Sequence, residues 1–274
     1  MAQPPRLRRR DDVRTRVRFD RQLLLREPKR SQVLALREVQ QYGADSFGDP
    51  EYVSLYGLKP AAWYARGVRI LGRTAVECTR DRLGDLIGRD VAALAHAAPD
   101  TNASVIIDPF AGSANTLHWI QRHLPGSRAV GFELDEAVYE ASRRNVSILS
   151  LDLELLQVDY ETGLRALAVA EDALLVVFVA PPWGDALDEA TGLDLRRTSP
   201  PVTEVIDLIT ATLPRQRLLL AAQIYESTDP RSLEHVTARF EWSLVKIYEI
   251  DAPGQNHGLV LGTIRWQPST FSRE

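Results

Sequence analysis

The pattern of apolar and polar positions changes near residue 104. Downstream, short apolar runs alternate with amphipathic stretches. The runs predict strands at Val105–Asp108, Ala129–Glu133, Leu153–Gln157, Leu174–Ala180, Leu218–Ile224, Leu244–Ile250 and Gly258–Trp266. Between them, helical spacing predicts helices at Ala114–Leu124, Asp135–Leu149, Tyr160–Ala168, Val202–Leu213 and Arg231–Phe240. A run as apolar as Leu174–Ala180 suits a strand buried on both faces. Strand–helix alternation at these intervals predicts a mostly parallel sheet with helices on both faces. The last two strands are separated only by Ala252 to Gly258, which predicts an antiparallel pair at the sheet edge.

Upstream the pattern is weaker. Ser31 to Gly43 predicts a helix, with Ser31 as its cap and Gly43 as its stop. Thr79 to Leu94 predicts another, with Thr79 as the cap. Asp45 to Trp63 reads as loop or short turns, and Met1 to about Arg30 as irregular. Tyr52, Tyr56, Trp63 and Tyr64 either roof a pocket for a planar substrate or form a small auxiliary core. The expected organisation is a basic arm over residues 1–30, a small helical and loop accessory region over 31–78, and an α/β domain over 79–274.

Charge adds one feature to this picture. Residues 1–40 carry 12 Arg or Lys against 5 Asp or Glu, leaving the rest of the chain at net −11. A basic arm on an acidic body either contacts phosphate or is a solvated terminus. Cys78 is the only cysteine, which excludes a disulfide within the chain and suits a reducing, cytoplasmic setting. The five histidines lack metal-ligand spacing, so no metal site is expected. No membrane span and no secretory signal are expected.

The candidate chemistry sits where strands end. In VIIDPFAGSANT, Val105 to Thr116, Asp108 closes a strand and Ala111, Gly112, Ser113 and Ala114 follow before a helix. Small residues let backbone approach a ligand, and free N–H groups at a helix start favour an anion. The next strand ends at Glu133, 25 residues beyond Asp108. An acid there can accept both hydroxyls of a ribose. One glycine instead of G-x-G-x-x-G argues against NAD or FAD. Asp159, after the third strand, either holds an adenine amino group or caps the helix from Tyr160. In LLVVFVAPPWG, Leu174 to Gly184, two prolines end a central strand and release the carbonyls of Ala180 and Pro181. Trp183 offers a flat face.

VIIDPFAGSANT, GFELDEAV, QVDYE and VAPPWG, in that order, resemble the sites of class I S-adenosylmethionine-dependent methyltransferases. The resemblance spans about Thr79 to Trp266. It implies a seven-stranded, mostly parallel Rossmann-like methyltransferase sheet and an S-adenosyl-L-methionine site. In that site the loop Asp108–Gly112, with Phe110 and Ala111, holds the methionine part, Glu133 the ribose and Asp159 the adenine, and Asn115, Thr116, Leu134 and Tyr160 also bind the cofactor. VAPPWG is similar to the N/D/S-P-P-Y/F/W motif of amino-group methyltransferases. This implies that Ala180, Pro181, Pro182 and Trp183 align an exocyclic amine. The Trp-Gly pair is most similar to the trimethylguanosine synthase family, which methylates guanine N2 of RNA caps. ECTRDRLGDLI, Glu77 to Ile87, resembles a segment of that family and implies that Thr79 lies near the cofactor carboxylate.

Two positions depart from these patterns. Ala180 stands where a side-chain acceptor is usual, which shifts that task to backbone carbonyls, Asp185 or Asp188. Asp185 replaces a second glycine. The acceptor is therefore RNA or a small molecule, and an inactive binding module with this fold is the third reading.

Overall fold

The computed structural model describes residues 18–99, 104–188, 191–252 and 255–268. Its helices are α1 (Arg21–Leu24), α2 (Leu36–Phe47), α3 (Pro60–Ala65), α4 (Gly72–Glu77), α5 (Asp81–Ala95), α6 (Asn115–His123), α7 (Glu136–Leu149), α8 (Tyr160–Ala166), α9 (Val202–Thr212) and α10 (Pro230–Thr237). Its strands are β1 (Ser104–Asp108), β2 (Arg128–Glu133), β3 (Glu154–Gln157), β4 (Leu174–Val179), β5 (Leu187–Asp188), β6 (Gly192–Leu193), β7 (Arg217–Tyr225), β8 (Trp242–Tyr248) and β9 (His257–Ile264).

Seven strands form one sheet in the order β3-β2-β1-β4-β7-β9-β8, and β5 and β6 make a separate two-stranded ribbon. Pairings from β3 through β7 are parallel. β9 runs antiparallel to both β7 and β8, as the short connection between the last two predicted strands required.

Alternation along β4 explains the layering. Leu174, Val176 and Phe178 join one apolar cluster with Leu83, Ile87 and Val91 of α5 and Leu117 and Ile120 of α6. Leu175, Val177 and Val179 join the other, with Leu164 of α8, Val205, Ile206 and Ile209 of α9, and Val236 of α10. Every residue of β4 is buried. The chain leaves β1 toward β2 and β3 on one side, and β4 lies on the other. That reversal makes the carboxyl ends of β1 and β4 a topological switch point, the place where open α/β sheets bind ligands.

The upstream region has its own core of Leu24, Leu34, Val39, Tyr42, Val53, Leu55, Tyr56, Trp63, Val68 and Ile70. Trp63 is fully buried and donates through Nε1 to the Val53 carbonyl at 3.0 Å. Of the two readings of the aromatic loop, Tyr56 and Trp63 take the auxiliary-core one. Leu24 of α1 belongs to that core, so residues 18–30 are less irregular than their sequence suggests; residues 1–17 of the arm lie outside the described residues.

Three helix-end expectations are corrected. Ser31 does not cap α2, which starts at Leu36, where the Glu38 carboxylate accepts from the Ala35 N–H at 2.8 Å. Gly43 lies inside α2, because a Cβ there would meet the Asp49 carbonyl oxygen at 2.3 Å. Gly48, in the left-handed conformation, ends the helix instead. Thr79 precedes the Arg80 cap of α5, and its hydroxyl is engaged elsewhere.

Candidate functional site

The first predicted stretch is built by backbone at the ends of β1 and β2. Asp108 is 2% exposed, and Phe110 N–H donates to its Oδ1 at 3.0 Å. Burial raises its carboxyl to about 7; the Phe110 N–H opposes the shift and nearby Glu133 adds to it. Ala111 N–H donates to the Phe132 carbonyl at 2.9 Å, stapling the loop to β2. A Cβ at Gly131 would meet Ala111 Cβ at 2.7 Å, so this close approach requires glycine. Gly112 has φ +51°, and a Cβ on it would find only the Phe110 carbonyl oxygen, at 3.9 Å. Its carbonyl accepts from Ser142 Oγ at 2.6 Å.

Glu133 closes the loop from the other side. Its Oε2 accepts from Gly112 N–H at 3.0 Å and its Oε1 from Asp135 N–H at 2.8 Å. Burial raises its pKa, opposed by those two N–H groups and the Arg73 guanidinium. Leu134 beside it is 72% exposed. Phe110 and Tyr160 pack with ring centroids 5.3 Å apart. Asp159 caps α8, accepting from Thr162 N–H at 2.9 Å; this satisfies the capping reading, and its carboxyl is held below the usual range.

Asn115 and Thr116 sit deeper than the resemblance implies. Asn115 is 1% exposed and committed to protein partners. Its Oδ1 accepts from Tyr56 N–H at 2.7 Å, and its Nδ2 donates to the Thr79 carbonyl at 2.7 Å. Tyr56 also donates its hydroxyl to the Ser113 carbonyl. The accessory core thus clasps the start of α6. Thr116 is 6% exposed.

The second predicted stretch follows β4. Ala180 is half-buried, Pro181 buried, Pro182 exposed and Trp183 half-buried. Pro182 carbonyl accepts from Ser199 N–H at 3.1 Å, and Trp183 carbonyl from Ala186 N–H at 2.8 Å. No turn or loop N–H among the described residues donates to the Ala180 or Pro181 carbonyls. Asp188 accepts from both Thr191 N–H and Thr191 Oγ1, so of the two nearby acids Asp185 is the less engaged.

Sequence reasoning missed the rings around Trp183. His257 stacks on it, centroids 5.4 Å apart and planes 20° apart, and Tyr225 meets it edge-on at 6.1 Å. Both come from strands remote in sequence, and only the pairing of β7 with β9 brings them together.

Thr79 links α6 to β7. Its carbonyl is held by Asn115 at the start of α6, and its hydroxyl reaches Gln223 Oε1 of β7 at 3.5 Å. Phe110, Tyr160 and Trp183 pack against one apolar cluster. A separate groove of about 560 Å³ lies between the 54–59 loop, α5 and α6, lined by Asp81, Trp119, Arg122 and His123 among others; it contains none of the predicted site residues.

This strand order, with an antiparallel β9 inserted beside the edge strand, is the class I methyltransferase fold. The METTL16 MTase domain shares it at 14% identity and TM-score 0.50, over 70% of this chain and 72% of that one. A methyltransferase from Geobacter sulfurreducens aligns at 17% identity and TM-score 0.43, over 68% of this chain and 80% of that one. TYW2 from M. jannaschii, solved in complex with AdoMet, aligns at 13% identity and TM-score 0.43, over 76% and 82%. No family model and no curated protein matches the sequence. At these identities the likeness is one of fold.

Proposed function

We propose that this protein is an S-adenosyl-L-methionine-dependent methyltransferase acting on a nitrogen of a flat, nucleobase-like acceptor. The observation that carries the reading is the Thr79 bridge between the donor loop's helix and the acceptor wall. Thr79 ties the first residue of α6 to Gln223 of β7, which supports reading the two strand ends as one site.

The donor half fits this cofactor. Asp108 is a buried carboxyl with one hydrogen-bond donor among the described residues, suited to a ligand's cationic end. Glu133 holds two backbone N–H groups yet keeps lone pairs for ribose hydroxyls. Leu134 presents an apolar side chain to solvent beside it, which an adenine face would cover. When bound, the cofactor supplies an electrophilic methyl group on sulfur. The protein's task is then alignment. An exocyclic amine is a poor nucleophile because its lone pair is conjugated into the ring. Accepting its N–H bonds at the Ala180 and Pro181 carbonyls turns that lone pair out of conjugation. Trp183 fixes the ring plane.

The Trp183-Gly184 pair supports guanine N2 in RNA, by resemblance to trimethylguanosine synthases. The basic arm supports RNA too. We assign residues 1–30 to that arm, 31–78 to the accessory region and 79–274 to the catalytic domain. Because Leu24 is built into the accessory core, the arm is tested by removing only residues 1–17. This truncation is expected to weaken RNA binding and reduce its salt slope. The acidic body, net −11 beyond residue 40, favours a second reading, a small flat metabolite as acceptor. Incubation with methyl-labelled cofactor and a fractionated lysate separates the two. Label in RNA guanine supports the first reading and label in small molecules the second. A wild-type protein that binds no cofactor overturns both.

A further inference from the structure

The acceptor wall holds a ring that the proposed transfer leaves without a task. His257 opens β9, directly opposite Tyr225 of β7. Its imidazole lies nearly parallel to the Trp183 indole, and Tyr225 stands edge-on to both rings, its centroid 5.5 Å from that of His257. Gln223, two residues earlier on the same face of β7, bonds through Nε2 to His257 Nδ1 at 3.1 Å. Gln223 Oε1 in turn takes the Thr79 hydroxyl. One chain of contacts therefore runs from the start of α6, through Thr79, Gln223 and His257, to Trp183.

Trp183 needs such a support. It follows the last β4 residue by four positions and has no strand neighbour. The Ser199 N–H bond to Pro182 and the Ala186 N–H bond to Trp183 fix the turn's backbone but leave the indole's torsions open. An indole free to rotate would have to be ordered when a substrate stacks on it, at a cost to binding. Building on the reading of these strand ends as a methyl-transfer site, we infer that His257 is a positioning residue, a ring that backs Trp183 and fixes the plane on which a flat acceptor lies.

The charged groups around the imidazole agree with an uncharged ring. Arg80 pairs with Asp251 and lies over the Tyr52 ring, and Arg21 adds a second, weaker positive influence. Burial first, then Arg80, pushes the His257 pKa down to about 4, with Asp251 opposing. Tyr225 and Gln223 bring no charge at neutral pH. A neutral ring also keeps positive charge away from a reaction whose donor is itself a cation.

The test uses the full chain with ¹⁵N-labelled tryptophan, the Trp183 indole resonance being assigned by its loss in Trp183→Phe. In wild type that resonance is expected to stay put from about pH 8 to about pH 5.5. Gln223→Glu places a carboxylate beside Nδ1 and is expected to introduce a titration within that window. His257→Ala is expected to move or broaden the resonance. Methyl transfer to the labelled lysate fraction should fall about tenfold, with S-adenosylhomocysteine affinity kept within about twofold. His257→Phe keeps a ring and is expected to recover to within about threefold of wild type. A resonance and a rate untouched by His257→Ala would overturn the assignment, as would a His257→Phe variant as slow as His257→Ala. If wild type binds no S-adenosylhomocysteine, the methyl-transfer reading fails, and the indole resonance still decides whether His257 holds Trp183.

Discussion

The donor and acceptor halves of the cleft are made in different ways. The donor half is backbone and buried acid. Gly112, Ala111 and Asp135 point N–H groups at acceptors on β2, and Asp108 and Glu133 are fixed by local hydrogen bonds. The acceptor half is a stack of rings, drawn from the loop after β4 and from two strands that enter much later in the chain. The first kind of site tolerates little change in its backbone. The second can be retuned one ring at a time. On the proposed reading the first site holds a fixed methyl donor and the second a variable acceptor, and the construction suits that division.

The largest effect should come from the donor acids. Glu133→Ala removes the acceptor of two N–H groups and, on the proposed reading, of a ribose. It is expected to weaken S-adenosylhomocysteine about 10- to 100-fold by calorimetry. Asp108→Ala should act at least as strongly. Asp108 also carries a pH signature. Its folded pKa, about 7, lies above the ordinary 3.8, so the folded ligand-free chain holds the proton more tightly than the unfolded one. The stability this contributes is full below about pH 4 and is lost as pH rises toward 7. Asp108→Asn is therefore expected to raise the ligand-free melting temperature at pH 8, by on the order of 2–4 kcal/mol of stability. Affinity for the cationic cofactor should run the other way, rising with pH through about 7 in wild type and flat in Asp108→Asn.

Trp183→Ala sharpens the contrast. It should leave cofactor affinity within about twofold and lower turnover about tenfold or more. Equal damage to both would mean that the two halves are not separable. Asn115→Ala tests the clasp rather than either ligand. It strips partners from the buried Tyr56 N–H and Thr79 carbonyl, and should cost about 2–3 kcal/mol in denaturant unfolding. The smallest effect belongs to Leu134→Ser. At 72% exposure Leu134 supports nothing in the ligand-free fold, so stability should not change while cofactor affinity falls a few-fold.

The same division explains what the sequence reveals. The sheet is legible because strands buried on both faces must be continuously apolar; β1, β2 and β4 fall within a residue of their predicted ends. The placement of Asp108 and Glu133 at strand ends, with Gly112 in the loop, is legible because a strand end followed by small residues is a local signal. Asn115 misleads because its burial depends on Tyr56, 59 residues away. His257 and Tyr225 are invisible because nothing near them in sequence says that they will meet Trp183. Only the insertion of β9 beside β7 does. Gly43 misleads for a related reason: it serves a close approach to the Asp49 carbonyl, and the chain stops at Gly48 instead.

A crystal structure with S-adenosylhomocysteine decides between these sites. The ribose is expected on Glu133, the adenine against Leu134 and Tyr160, and the sulfur facing the Ala180–Trp183 turn. Ligand bound in the groove lined by Trp119 and Arg122, or with its sulfur turned away from Trp183, would contradict the methyl-transfer reading.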